Sequence, residues 1–153
     1  MKTSVPEWIK SYVEEERQLE LEGDTYTYLV VKSSLCMTLD IPPVFISKIG
    51  EVFAVSDAYP EAWRKLAIMH DIMERDARPS AFSHLSATRR ELDLARSIGV
   101  EMSSYVTFRI EFFSNLVAHF EDSSIRTKTE PEIERIRRSV RYLVFIHAKL
   151  GNQ

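Results

Sequence analysis

Two stretches of this chain carry residue types that could do chemistry. In MHDIMERD, His70 stands beside Asp71 and one helical turn ahead of Glu74, which puts an imidazole and a carboxylate on one helix face and could begin a metal site. On a helical wheel His70 falls with Trp63, Leu66, Met73 and Ala77, so the expectation is a core-edge histidine hydrogen-bonded to a neighbour, with no metal assigned. In SYVTFRIEFFSNLVAHFED, Glu111, Asn115 and His119 recur every fourth residue as one polar stripe. A cleft there could hold a small ligand or a general base. A mostly apolar helix also needs one wet edge, and that is the preferred reading. Cys36 has only Lys32 as a cationic neighbour in sequence and lies in an apolar stretch, the setting of an inert thiol. Nucleophile-elbow, phosphate-loop, dinucleotide and Cys-x-x-Cys patterns are missing, so neither enzyme activity nor a cofactor is expected.

The His70-Asp71 doublet is similar to the His-Asp pair of metal-dependent phosphohydrolases. Those sites require further histidines, and no histidine precedes His70.

The last helix offers a contact surface instead. ERIRRSVRYLVFIHAK packs Arg135, Arg137, Arg138 and Arg141 into seven positions. At about 100° per residue, Ile133, Ile136, Val140, Leu143, Val144, His147 and Leu150 converge on an inner face. Glu134, Arg138, Arg141 and Phe145 gather opposite, with Tyr142 and Lys149 at the margin. Arginine with tyrosine and phenylalanine on one surface is the composition of protein contact sites, which makes Arg135, Arg138, Arg141, Tyr142 and Phe145 the expected partner-binding residues. Residues 1–24 hold seven acidic and three basic side chains, a net −4, and residues 125–153 hold seven basic and three acidic, a net +4. An acidic N-terminal helix of one copy meeting the basic C-terminal helix of another is thus one form of self-association. The partner is otherwise a protein with an acidic or apolar surface. Nucleic acid is the weaker alternative, because the whole chain carries −3 and glutamates interleave the arginines. A small helical enzyme or ligand-binding bundle is the third reading.

The elements that must position these residues follow from composition and capping. With 153 residues, 44% apolar side chains and four glycines, the chain reads as a single domain over residues 1–153 with a sizeable core. One cysteine and no apolar run near membrane-spanning length suggest an intracellular, cytoplasmic protein. Capping boxes at Ser4/Glu7 and Thr129/Glu132, each with a proline in the first turn, predict helices over 4–22 and 129–150, ended by Gly23 and Gly151. Pro60-Glu61 starts another over 60–77. Residues 25–41 alternate like a strand at Tyr26, Tyr28 and Val30 but also keep helical spacing at Tyr28, Val31, Leu35 and Leu39, and helix is preferred. A short buried helix follows Pro43, and another runs from Ser86 to a stop at Gly99 with Leu92, Ala95 and Ile98 inward. The most apolar segment, 104–121, is placed at the centre. The fold expected is all-α, a bundle of six or seven helices around that segment. Its architecture resembles Bcl-2-type bundles, without their Asn-Trp-Gly-Arg groove signature.

Overall fold

In the computed structural model, residues 7–35, 46–49, 52–76, 80, 82–122 and 128–151 are described. A 3-10 helix (Glu7–Tyr12) leads into β1 (Val13–Leu21) and β2 (Asp24–Val31). Next come β3 (Ile46–Ile49), β4 (Val52–Ser56) and a 3-10 turn (Glu61–Trp63). Four α-helices complete the described residues: α1 (Arg64–Asp76), α2 (Ser83–Ser97), α3 (Met102–Asp122) and α4 (Glu130–Gly151). The strands form one mixed sheet in the order β1-β2-β4-β3. The protein is therefore α+β, which corrects the all-α bundle of six or seven helices. The chain divides into two compact units, residues 1–71 and 72–153, with the division inside α1.

In the first unit strands occupy residues 13–21 and 24–31, inside the spans 4–22 and 25–41 expected to be helical; residues 4–6 and 36–41 lie outside the described residues. Glu22 and Gly23 both have positive φ, 54° and 87°, as a two-residue type I′ hairpin turn requires, so Gly23 closes a hairpin and does not end a helix. β1 pairs antiparallel with β2, and its register shifts between Val13 and Glu15. That irregularity hides the alternation of Arg17, Leu19 and Leu21 behind a run of glutamates that favours helix locally. β1 is an edge strand, and its exposed Glu14, Glu15, Glu16 and Glu20 suit that place, because charge deters pairing with other chains. β2 is flanked on both sides, antiparallel to β1 and parallel to β4, and Tyr28–Val31 are buried without interruption. β4 is buried throughout and also pairs antiparallel with β3. A short apolar run of this kind has no period, which is why the segment after Pro43 reads as a helix in sequence. Ile9, Leu29, Val31, Leu35, Val52 and Ala54 make the core of this unit, with Tyr12 and Val13 against it. Cys36 and the Ser4 cap lie outside the described residues.

The second unit follows the sequence more closely. Thr129 and Glu132 form the capping box: the Thr129 amide donates to Glu132 Oε2 at 2.7 Å, and the Glu132 amide to Thr129 Oγ1 at 3.4 Å. Gly99 ends α2 at φ 79°, its amide donating to the Arg96 carbonyl and the Val100 amide to that of Ala95, the two bonds of a Schellman cap. Gly151 by contrast is still helical. Glu101 caps α3 by accepting from the Ser103 and Ser104 amides. The central place does not belong to the 104–121 helix. Only Tyr105, Val106, Arg109 and Phe113 of α3 are buried, while Phe108, Phe112, Leu116, Val117 and Phe120 are half-buried. α4 is the helix that packs on both α2 and α3, through Ile133, Ile136, Ser139 and Leu143. Past Leu143 its inner face ends, and Val144 and His147, expected in the core, are exposed.

Candidate functional site

α2 buries an unusually polar face, in which Ser83, His84, Thr88 and Glu91 lie with Ala87, Leu92 and Ala95. Each buried polar group needs a partner: the Ser83 hydroxyl donates to the Ser80 carbonyl, and α3 and α4 supply partners for the other three. At the far end, Arg109 grips Glu91 with a parallel fork, Nε to Oε2 and one terminal nitrogen to Oε1, both at 2.9 Å. The Tyr105 hydroxyl donates to the same carboxylate. The guanidinium carbon sits 4.2 Å from the Phe113 ring centroid and 5.0 Å from that of Phe112. Arg109 and Glu91 are sealed from solvent, so this group braces α2 against α3 and is out of reach of a substrate.

At the near end a hydrogen-bond chain orients His84. Its Nδ1 lies 2.6 Å from Ser139 Oγ, and Thr88 Oγ1 lies 2.9 Å from the His84 carbonyl and 3.1 Å from Ser139 Oγ. The Thr88 and Ser139 hydroxyls and the His84 ring thus form one connected hydrogen-bond chain between α2 and α4. The Phe113 ring meets the imidazole edge-on at 4.8 Å, which holds its plane. Glu74 and His84 bring a carboxylate oxygen and a ring nitrogen within 4.8 Å of each other.

The residues expected to bind a partner separate onto the two flanks of α4. On the α2 flank, the Arg138 guanidinium lies 5.0 Å from the Phe82 ring centroid and that of Arg89 lies 5.8 Å from the Tyr142 ring centroid. Phe82, Leu85, Ser86, Arg89, Arg90 and Asp93 line a groove of about 380 Å³ on α2. Phe82 is 60% and Phe145 55% exposed, and Lys149 covers the Phe145 ring at 4.6 Å. Arg135 is half-buried. On the α3 flank, Arg141 donates to Glu134 at 2.6 Å and shares a shallow groove with Ser114, Val117, Arg137 and Val140. Arg137 pairs with Glu130, Glu121 and Glu134, and its hydrogen bond to Glu130, then that to Glu121, raises its pKa. Arg141 holds the Glu134 carboxyl below its ordinary pKa. The positive charge of this flank is thus met by acidic side chains of the same unit.

The stripe of Glu111, Asn115 and His119 stays on the outer edge of α3, where Glu111 and Asn115 are exposed and His119 turns its ring edge toward Phe120 at 5.8 Å. Sequence reasoning passed over His84, Glu91 and Arg109. One signal was present: Arg109 falls at helical spacing between Val106 and Phe113, inside the apolar arc, where a charge must find a partner.

No protein-family model, no curated protein and no solved structure matches this chain.

Proposed function

We propose that the chain is a non-catalytic, intracellular protein-binding module, and that its contact surface runs along the α2–α4 seam through Phe82, Arg89, Arg138, Tyr142 and Phe145. The observation that carries this reading is the exposure of two phenylalanines, Phe82 and Phe145, beside stacked arginines. Large exposed aromatics next to arginine concentrate binding energy in protein interfaces and are uncommon on surfaces that face only water. The seam keeps Arg141 out of the surface, since that side chain belongs to the α3 flank. The occupant is a protein segment with apolar side chains and an acidic rim, because Arg89, Arg90, Arg138 and Lys149 lie beside the aromatics. The helix-to-helix form of self-association is not carried forward, since residues 13–21 form a strand.

The test places a photo-crosslinking amino acid at Phe145 in cells and, as a control, at Thr107 on exposed α3 surface. A protein captured from position 145, absent from position 107, and lost on Phe82→Glu supports the seam. Identical adducts from both positions refute it. Light scattering of the purified chain decides whether the occupant is a second copy, and retention of an unspecific oligonucleotide at low salt would replace the proposal with the nucleic-acid reading.

A further inference from the structure

We infer that the occupant of the α2–α4 seam is an amphipathic α-helix of another protein, with an apolar stripe at heptad spacing flanked by Asp and Glu. The inference rests on the contact surface proposed above and names what covers it.

The spacing of the surface residues comes first. On α4, Arg138, Tyr142, Phe145 and Lys149 follow one another at steps of 4, 3 and 4, so they fall within about 60° of one another and draw a line roughly 17 Å long on the helix. Phe82, at the start of α2, and Ser86, Arg89 and Asp93 on it repeat the same steps. Arg138 on the Phe82 ring and Arg89 on the Tyr142 ring tie the two lines side by side. Steps of 4 and 3 are those by which one α-helix meets another along a seam, each side chain seating between those of the partner. About three turns of a partner helix cover the α4 line.

Backbone chemistry selects a helix over an extended segment. An added strand needs an open sheet edge, where its amides and carbonyls find partners. α2 and α4 spend their backbone groups within the helices, so a strand laid along the seam would lose water from its own and gain no bond in return. A helix arrives with its backbone groups already paired.

Charge selects the flanks. Arg89 and Lys149 stack on the Tyr142 and Phe145 rings, and among the described residues neither pairs with a carboxylate. Covering them with a neutral partner would cost solvation, whereas Asp or Glu beside the apolar stripe meets them at the rim. A second copy fits worse, because a two-fold pairing sets the same patch on both chains and brings two surfaces of one sign together.

The probe is a phage-displayed library of random peptides of about 18 residues, long enough for about three helical turns and their ends, selected against the immobilised full chain. Retained peptides are synthesised, titrated by fluorescence anisotropy and followed by circular dichroism. The expected winners carry apolar residues at heptad spacing with Asp or Glu beside them and gain helix on binding. Phe145→Ala and Arg89→Glu should each weaken them about tenfold or more, and Thr107→Ala on exposed α3 surface should not. Phe145 and Arg89 are exposed, and dichroism of each variant confirms that its helices persist. Winners that bind without gaining helix, winners flanked by Lys and Arg, or a library that yields none overturn the acidic helical occupant, while the crosslinking at Phe145 still decides the seam. A chain that light scattering shows to be a dimer, split by Phe145→Glu, overturns it as well, because a second copy then holds the seam. Winners that bind Phe82→Ala/Phe145→Ala undiminished overturn the seam together with the helix.

Discussion

Replacing Arg109 by methionine keeps most of the volume that packs against Phe113 but deletes the charge opposite Glu91. Glu91 is fully buried, so its carboxylate would keep the Tyr105 hydroxyl and lose both forked bonds. Removing one partner of a buried ion pair costs about 3–5 kcal/mol, because the remaining charge is uncompensated in a low-dielectric site. Domains of this size are stable by only about 5–15 kcal/mol, so Arg109→Met should remove a large part of the stability of the helical unit. The double variant Glu91→Gln/Arg109→Met removes the orphaned charge while its amide can still accept from Tyr105. It should recover at least about 2 kcal/mol of the loss, since the penalty lies in the lone charge and less in the missing pair. Urea titration of the intact chain measures both. Far-UV circular dichroism follows the helices α2, α3 and α4, and tryptophan fluorescence follows residues 1–71, which hold both tryptophans, Trp8 and Trp63. With a denaturant slope of about 1 kcal/mol per molar, the single variant should move the dichroism midpoint down by about 3 M or more. A midpoint shift below about 0.5 M, or a double variant less stable than the single one, would refute the account of Glu91 as a charge that depends on Arg109.

Gly23→Ala meets no atom within 4 Å at the new methyl, so its penalty comes only from φ 87°, about 1–2 kcal/mol, and Gly23→Asn should cost less; fluorescence-monitored urea unfolding checks the order. Thr129→Ala should destabilise α4 by about 1 kcal/mol through loss of the capping box, read as a lower dichroism midpoint. The same box gives a pH signature. The Thr129 amide and hydroxyl hold Glu132 below the ordinary 4.5, so its contribution is complete above that value and fades as pH falls through the lowered one, and the acid limb of stability should flatten in Thr129→Ala.

The helical unit was largely legible because its signals are local. The Thr129/Glu132 box and the Gly99 stop each act within a few residues, and α2 and α4 lie near where those signals put them, although α2 begins at Ser83 and not at Ser86, and Ile98, expected inward, is exposed. The sheet was hidden because its signals are not. β2 and β4 are buried on both faces and lose their period, and the register shift in β1 breaks the alternation that its leucines would have shown. The hydrogen-bond chain at His84 shows the same division. His84 and Thr88 share a helix and could be paired by spacing. Their partner Ser139 lies 55 residues beyond His84, a distance at which no single-sequence pattern operates. The α4 residues proposed for contact were chosen by composition, and their neighbours Phe82, at the start of α2, and Arg89, on it, could be added only by packing.

The parallel pairing of β2 with β4 also sets a timetable for synthesis. Val30 has its register partner at Val55, 25 residues downstream, whereas the β1–β2 hairpin is complete once Val31 has emerged. At translation rates of about 5–20 residues per second, β2 waits roughly one to five seconds with its inner edge open. During that interval Tyr28, Leu29, Val30 and Val31 form an apolar run with an unpaired edge, and the glutamates of β1 guard only the opposite edge. A chaperone that holds extended apolar strands at the ribosome exit would find its substrate here, before the helices exist.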